Sequence, residues 1–561
     1  MKQLLCAVLL ALPARPALCG GDILNAMSKE LDRSLSAYGK AEDAPLYFLS
    51  YQMTDDRRWS LSAELGGINQ DDMSHERYLD IDARVGSPEL DNTHQVKGAA
   101  AMSGDHGDEG RHFLAPLEDD ETALRASLWR QTEEEFKKAQ EKYTKVKTNH
   151  AVTADEEDGS PDFSQEKPEK SFREVEFPKL DRPQWRARLE RLSREMRRYP
   201  FIYSTDVNFS VSAQNRYYVN SEGSRIASGN VYITLGYRLG SRTDDGMELE
   251  RYKSYEGLSE QDFPSEARVI ADIAASAAEL KALLDAPVAE PYSGPAILRN
   301  RAAAVFFHEI FGHRVEGQRQ KDEFSGKTFA DKVGGEIVSP LISVADDPTL
   351  KRFNGLALRG WYDYDDEGVR ARRVEIAENG VLRAFLMSRS PINGFPQSNG
   401  HGRREPGYDA VARMGNTIVS AKAAVPYPRL REMLIEEIKR RGKPYGLVFE
   451  DIAGGNTNTS VFGAQAFTVI PKLVYRVYAD GSPDEAVRGV DLIGTPLTVF
   501  TKITAAADDP AVFNGSCGAE SGWVPVSAVS PSLLVSEMEV QKVVKMHERP
   551  PLIPPPSAEA Q

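Results

Sequence analysis

The second half of the chain contains the run Phe306-Phe307-His308-Glu309-Ile310-Phe311-Gly312-His313. Its apolar content predicts a buried helix, with a carboxylate beside one of two histidines. Histidines four residues apart on a helix share one face and can bind one zinc ion, with the intervening glutamate as general base. His308 and His313 are instead five residues apart.

Five residues on a straight helix correspond to about 140° and about 7.5 Å, which is too far round for two imidazoles to reach one ion at about 2.1 Å. A single π-type turn would absorb the extra residue. Gly312 weakens regular helix at the point where such a turn is needed. The spacing therefore predicts a π-bulge or a helix end between His308 and His313.

Cys517 is the candidate third ligand. The other two cysteines, Cys6 and Cys19, lie in a segment expected to be removed, so Cys517 would be the one thiol of the mature chain. It lies in the Gly-rich run 514–518 and is either a buried small hydrophobe or a metal thiolate. Two histidines, one thiolate and a water complete a hydrolytic zinc site, so we expect one Zn²⁺ per chain and Glu309 as the general base of peptide-bond hydrolysis.

Composition and charge narrow the class of protein. The chain has 561 residues, of which 41% are hydrophobic and 27% charged, as in ordinary globular proteins of two or three domains. A net charge of −15 argues against a surface that neutralises phosphates, so we expect no nucleic-acid partner.

The N-terminus has the layout of a signal peptide. Lys2 precedes the apolar run 4–12 and a small-residue site that ends at Cys19. Residues 1–19 are therefore predicted to be removed, giving an exported, periplasmic or secreted protein with no membrane span. Lipid modification of Cys19 is the rival interpretation.

Apolar periodicity predicts two domains and a tail. Residues 20–288 show a mixture of strands and helices, and 289–545 form the β-rich part with the histidine pair, followed by a Pro-rich disordered tail at 546–561. Residues 116–171 look altered or inserted, with a helix at about 120–147 and an acidic loop or mobile linker at 151–171. The predicted strands and helices of the first domain are 46–51, 59–64, 78–85, 183–198, 201–213, 217–220, 230–238 and 266–285.

Several separated motifs from about Gly294 to Val540 resemble, in order, the TldD/PmbA family of metallopeptidases. These motifs are His308 to Gly317, Phe324-Ser325-Gly326, Gly360 to Gly368, Gly402-Arg403-Arg404, Arg413 to Thr417, Cys517-Gly518 and Val524-Pro525-Val526.

The resemblance implies an α+β protein: an N-terminal α+β domain with an antiparallel or mixed sheet, and a β-rich domain that carries the metal-site helix. It also implies zinc on His308, His313 and Cys517, with Glu309 as base. The chain looks like the metal-bearing TldD-like members, because PmbA/TldE-like partners lack this motif. The family further implies unfolded or extended peptide substrates, and a homodimer or a heterodimer with a related PmbA-like chain.

Other positions carry secondary expectations. Gly454 and Gly455 match a Gly-rich stretch that offers a strand edge to a peptide. His401 stands where the family has asparagine; it either touches substrate or developing oxyanion or lies in a surface loop. Glu316 either orients His313 or is exposed.

Two charged motifs have more than one interpretation. Arg403 and Arg404 either anchor a substrate carboxylate or pair with acidic turns. Asp365, Asp366 and Glu367 form a second metal site, an acid/base pair or a charged turn ahead of a strand.

Two other functions compete with the peptidase. One is a noncatalytic peptide-binding or partner-stabilising subunit of a TldD/PmbA-like complex. The other is modulation of a DNA-processing enzyme, which conflicts with export.

Overall fold

The computed structural model describes residues 20–42, 44–96, 112–152, 158–322, 325–457, 467–494 and 496–542, together with 553 and 556. The predicted signal peptide, Phe324 of the second motif and most of the predicted tail lie outside these residues. Among the described residues, no helix is long and apolar enough to cross a membrane.

The α-helices of the described chain are few and mostly N-terminal. They are α1 Gly20–Tyr38, α2 Glu121–Val152, α3 Arg182–Glu195, α4 Glu266–Asp285, α5 Asn300–Phe306, α6 Tyr427–Arg440 and α7 Pro496–Thr501. The predicted α+β class is confirmed. The observed bounds of α4 match the prediction at both ends. At its N-terminus, Ser265 caps the helix by accepting a hydrogen bond from the backbone N–H of Arg268.

An eight-stranded sheet dominates the N-terminal half, with spatial order β3-β2-β1-β6-β7-β5 and with β4 beside β2 and β8 beside β7. Its strands are β1 Leu46–Glu64, β2 Gly67–Ser87, β3 Leu90–Asp91, β4 Phe113–Leu114, β5 Lys170–Arg173, β6 Ser204–Asn220, β7 Arg225–Arg242 and β8 Glu248–Gly257. The two short strands predicted at 46–51 and 59–64 are one continuous strand, because the polar stretch between them pairs with β2 and β6 on both sides.

All four N-terminal helices cover one face of this sheet. Leu49, Tyr51 and Met53 of β1 pack under α1 and α2, while Trp59 and Leu61 of the same strand pack under α3 and α4. Since side chains alternate along a strand, these odd-numbered residues share a face. The even-numbered residues of β1 are mainly polar and face the C-terminal half.

Of the two alternatives for 151–171, a loop rather than a mobile linker describes residues 158–169, because part of this loop is buried. Phe163 is buried beneath the guanidinium groups of Arg84 and Arg389, whose Cζ atoms lie 3.8 and 3.9 Å from the ring centroid. Arg389 also donates to the carbonyl oxygen of Ser164, 3.1 Å from Nε. Residues 162–164 therefore fasten the two halves of the molecule together.

The C-terminal half contains a six-stranded sheet of order β14-β13-β10-β17-β24-β23 and a second sheet of seven strands. The strands of this half are β9 Tyr292–Leu298, β10 Ile342–Asp346, β11 Arg352–Phe353, β12 Leu356–Ala357, β13 Val374–Glu378, β14 Val381–Leu382, β15 Gly402–Arg403, β16 Val411–Ala412, β17 Asn416–Ala421, β18 Tyr445–Thr457, β19 Phe467–Tyr478, β20 Glu485–Val487, β21 Val490–Gly494, β22 Ile503–Ala506, β23 Ala511–Ala519, β24 Gly522–Ser530 and β25 Leu533–Lys542.

Five strands of the second sheet close into a barrel. Strand β18 pairs with β9 and β19, β19 with β21, β21 with β25, and β25 with β9. One apolar core lies between the barrel and the six-stranded sheet, and α5 is buried in it. The helix that carries the histidines is thus held by both sheets.

Candidate metal centre

The histidine helix changes its winding where the sequence predicted a distortion. Regular helix α5 ends at Phe306, a π-turn spans Phe307–Phe311, and a tight 3₁₀ turn follows at Gly312–Val315. The π-turn accommodates the five-residue spacing, and the ring centroids of His308 and His313 are 5.6 Å apart.

Gly312 is needed at this point for close approach rather than for an unusual backbone angle. Its φ of −57° is ordinary, but a Cβ there would lie 1.9 Å from the Sδ atom of Met414. The turn therefore packs directly on the segment that begins at Arg413, and any side chain at position 312 would push the two apart.

Cys517 joins the two histidines from a distant part of the chain. It lies on β23, is 5% exposed, and its Sγ is 3.3 Å from Nε2 of His313. One donor atom from each of His308, His313 and Cys517 lies within 4.8 Å of the others. The structure thus brings together all three residues predicted as ligands.

The three donors fit a tetrahedral Zn²⁺. Bonds of about 2.1 Å to nitrogen and about 2.3 Å to sulfur place the two donors about 3.5 Å apart, close to the separation found between His313 and Cys517. Nδ1 of His308 is buried and has no hydrogen-bond partner among the described residues, as expected of a nitrogen reserved for a metal or a proton. Two imidazoles and one thiolate are donors that zinc prefers.

Charges around the donors favour a cation between them. Burial opposes ionisation of Cys517, but the adjacent His313 and His308 outweigh it and hold the thiol pKa well below its usual value. Burial likewise disfavours the imidazolium of His313, but Glu316 and Cys517 raise its pKa to about 10. Protons and a divalent cation therefore compete for the donor atoms of His308, His313 and Cys517.

Glu316 contacts His313 from outside the ligand set and is fully buried. Its Oε2 lies 3.2 Å from Nδ1 of His313 and accepts a 2.8 Å hydrogen bond from Nε of Arg319. Although burial raises a carboxyl pKa, His313 and Arg319 lower that of Glu316 to about 2. Because an ionised carboxylate contacts Nδ1 of His313, Nε2 is the nitrogen that is available to a metal. The alternative prediction, that Glu316 is exposed at the surface, is wrong.

Arg413 is a functional residue that sequence reasoning recognised only as part of a motif. Its guanidinium is fully buried and lies between the cysteine and histidine segments. It donates to the carbonyl oxygen of Cys517 at 2.7 Å and to Oγ of Ser521 at 2.8 Å, and its Nε lies 3.5 Å from Oε1 of Glu316. One side chain thereby links the supports of two ligands.

Glu309 faces the same cavity as His313 and Cys517. Its Oε1 accepts a 3.2 Å hydrogen bond from the backbone N–H of Gly455 on β18, and burial raises its pKa. The neighbouring Gly454 also lies beside this carboxylate, since a Cβ there would be 4.0 Å from Oε1. Strand β18, which the sequence predicted would offer an edge to a peptide, therefore reaches the candidate metal centre.

The cavity at the centre has a volume of about 600 Å³. Trp523, on the neighbouring strand β24, forms part of its wall with 64% of its surface exposed. The described residues that line it are Glu309, His313, Arg319, Tyr408, Gly455, Ser516, Cys517, Gly518, Ala519, Glu520, Gly522 and Trp523. This space can admit an extended peptide segment.

The structure places two of the predicted substrate contacts outside the metal cavity. His401 is neither in the cavity nor in a surface loop: it is fully buried, with Nε2 3.3 Å from Oδ1 of Asp346. Arg403 lies in a neighbouring cavity, where its Nη1 donates to the carbonyl oxygens of Met414 and Pro525, both at 2.7 Å. Its contacts are structural.

The acidic triplet is a buried turn. Oδ1 of Asp365 accepts hydrogen bonds from the backbone N–H groups of Glu367 and Val369, and its Oδ2 accepts one from Gly402. Asp366 pairs with Arg216 of β6. Of the three interpretations of residues 365–367, the charged turn agrees with these contacts. The turn lies between the two halves of the molecule rather than at the surface.

Comparison with known proteins places this fold and site in one class. Residues 291–542 match the model of the PmbA/TldA metallopeptidase C-terminal domain. The C-terminal part of the chain is therefore similar to the metallopeptidases of the TldD/PmbA family.

The relatives carry metalloprotease names. The chain is 26% identical to a metalloprotease of Methanocaldococcus jannaschii over 338 residues, covering 58% of this chain and 67% of the relative. It is also 26% identical to a zinc metalloprotease TldD homologue of Saccharolobus solfataricus, over 44% of this chain and about half of that protein, 51%. The structure of TldE from Thermococcus kodakarensis has the same fold, with a TM-score of 0.58 at 15% identity over 92% of this chain and 100% of that one.

Proposed function

We propose that this chain is a zinc-dependent peptidase of the TldD-like kind, acting on unfolded or extended peptides. The observation that supports this most directly is the convergence of His308, His313 and Cys517 within 4.8 Å, in a site that also holds Glu309. The ligand segments are separated by 204 residues between His313 and Cys517. Zinc held there supplies a Lewis acid for the scissile carbonyl and for the attacking water.

Residues of the chain supply the remaining chemistry. Glu309 takes a proton from the water and passes it to the leaving amine, and the N–H of Gly455 fixes the carboxylate that does so. Glu316 orients His313, and Arg413 holds the backbone of Cys517.

Strand edges favour an extended substrate. Strand β23, which carries Cys517, is the terminal strand of its sheet, so the backbone groups along its outer edge face no neighbouring strand among the described residues. A peptide in extended conformation can hydrogen-bond to such backbone groups without regard to its sequence.

Export and dimerisation belong to the same proposal. They rest on the apolar N-terminal run and on the family resemblance, and the partner is either an identical chain or a PmbA-like one. Cell fractionation and the mass of the purified particle measure the two properties separately.

The test is a comparison of wild type with Glu309→Gln. Purified wild type should contain about one zinc per chain and cleave an unfolded peptide, while the variant should keep the metal and lose cleavage. Full activity in metal-free protein, or undiminished cleavage by the variant, would overturn the proposal. Peptide binding without turnover by zinc-loaded wild type would favour a noncatalytic subunit.

A further inference from the structure

A second cavity lies between the polar face of the N-terminal sheet and the C-terminal half, with a volume of about 450 Å³. It adjoins the metal cavity, because Ser516 and Trp523 line both. Ser516 immediately precedes the ligand Cys517. The two cavities are therefore neighbours, and the second is here named the interdomain cavity.

The interdomain cavity is rich in arginine. Five arginines line it, Arg58, Arg216, Arg359, Arg403 and Arg404. Four carboxylates also line it, Asp56, Asp365, Asp366 and Glu405.

The carboxylates are already engaged. Asp56 accepts from Arg58 at 3.1 Å, Asp366 pairs with Arg216, and Glu405 accepts a 2.8 Å hydrogen bond from the backbone N–H of Trp523. Asp365 accepts from the backbone N–H groups of its own turn and of Gly402. Asp366 also accepts a 3.0 Å hydrogen bond from the backbone N–H of Arg404. In the described part of the chain, none of the four carboxylates forms an ion pair with the guanidinium group of a remaining arginine.

Three of the five guanidinium groups form no ion pair with a carboxylate in the described part of the chain, those of Arg359, Arg403 and Arg404. Arg403 is already bound to two backbone carbonyl oxygens. Arg359 lies over the ring of Tyr232, with Cζ 5.1 Å from the centroid, and forms no ion pair there. Arg404 forms none either, and its Nε is buried without a hydrogen-bond partner. Burial lowers the pKa of Arg404, but carboxylates beyond ion-pair distance, Asp80 and Asp366 foremost, raise it. The hydroxyl of Thr54, which is 1% exposed and lines the same cavity, also lacks a partner among the described residues. The buried Nε of Arg404 needs an acceptor, and the half-buried guanidinium of Arg359 is suited to a carboxylate.

We propose that the interdomain cavity binds a carboxylate of the peptide substrate through Arg359 and Arg404, making the enzyme selective for peptides with an anionic group displaced from the scissile bond. The carboxylate is either the C-terminus of the peptide or an acidic side chain. This inference rests on the proposed peptidase function and adds a recognition element to it.

The test measures binding rather than cleavage. Zinc-loaded Glu309→Gln protein is titrated against three fluorescein-labelled Gly/Ser/Ala peptides that differ in one group: a free C-terminal carboxylate, a C-terminal amide, or an amide with one internal aspartate. Adding Arg359→Gln should weaken binding of a carboxylate-bearing peptide by roughly tenfold and leave the neutral amide unchanged. The peptide that loses affinity identifies the C-terminus or the side chain as the ligand.

Matched variants keep the result interpretable. Arg359→Lys preserves the charge and should retain part of the preference, while Arg383→Gln, an exposed arginine of the same half paired with Glu378, should change nothing. Equal affinities for all three peptides in the parent protein, or equal losses in Arg359→Gln, would overturn the carboxylate site and leave the peptidase standing. If no peptide binds and wild type cleaves none, the peptidase proposal itself fails.

Discussion

Arg413 donates a 2.7 Å hydrogen bond from Nη2 to the backbone carbonyl oxygen of Cys517. The same guanidinium reaches Glu316, the carboxylate on Nδ1 of His313. A change at Arg413 should therefore act on two ligands at once, although the residue is not itself a ligand.

Arg413→Lys should lower zinc affinity by roughly 10–100-fold, because a lysine keeps the charge but cannot hold both segments. Competition with a chromogenic chelator measures this. Arg383→Gln is the matched surface control. An unchanged zinc dissociation constant would show that the contacts of Arg413 do not support the ligands.

Cys517→Ser should lose the metal on dialysis against a mild chelator, because a serine hydroxyl stays protonated at neutral pH and is a poor zinc ligand. The adjacent Ser516→Ala, whose side chain is exposed, should retain about one zinc per chain. Elemental analysis of both proteins decides the matter. Retention of zinc by the serine variant would remove Cys517 from the ligand set.

Gly312→Ala should destabilise the fold by about 1–3 kcal/mol, because the added methyl group meets the Sδ atom of Met414. Thermal or urea unfolding measures the loss. The double variant Gly312→Ala with Met414→Ala should show a favourable coupling energy, since shortening Met414 relieves the clash. Strictly additive effects would contradict the contact.

The buried turn at residues 365–367 should make the free energy of unfolding depend on pH. Burial raises the pKa of Glu367 from 4.5 to about 7, with Arg389 opposing the shift. The folded state holds this proton more tightly than the unfolded state, so the contribution of Glu367 is most favourable below pH 4.5 and is lost as the pH rises through about 7.

Glu367→Gln should flatten the pH dependence in that window, by up to about 3 kcal/mol between pH 4.5 and 7. Glutamine keeps an oxygen to accept the 2.7 Å hydrogen bond from the backbone N–H of Arg389. Urea unfolding of both proteins at several pH values measures the difference. Parallel pH profiles would contradict the assignment.

The convergence of His308, His313 and Cys517 could be predicted from the sequence because it follows from local chemistry. The five-residue spacing of His308 and His313, the glycine between them and the single cysteine of the second half each restrict how a metal could be bound. None of these restrictions requires knowledge of the rest of the fold. Helix α4 was predicted at both ends for a similar reason, since its apolar spacing and the capping Ser265 lie within the segment itself.

The errors have a common physical origin in partners distant along the chain. The polar stretch inside β1 looked like a break, yet Asp55 is buried there because Arg77 donates to it at 2.6 Å. His401 looked like a loop residue because its partner, Asp346, lies 55 residues earlier. Arg413 was overlooked as a support because its role depends on Cys517 and Glu316 being brought to it.

The position of Cys517 has a consequence for biosynthesis. Strand β23 joins its sheet only through β24, which itself pairs with β17, so the thiol reaches the imidazoles after nearly the entire second half has been made and folded. A nascent chain or a C-terminally truncated chain that ends before β23 has the imidazoles of His308 and His313 but lacks the thiolate of Cys517. Binding of a metal ion by all three residues would therefore require a chain that extends at least as far as Cys517.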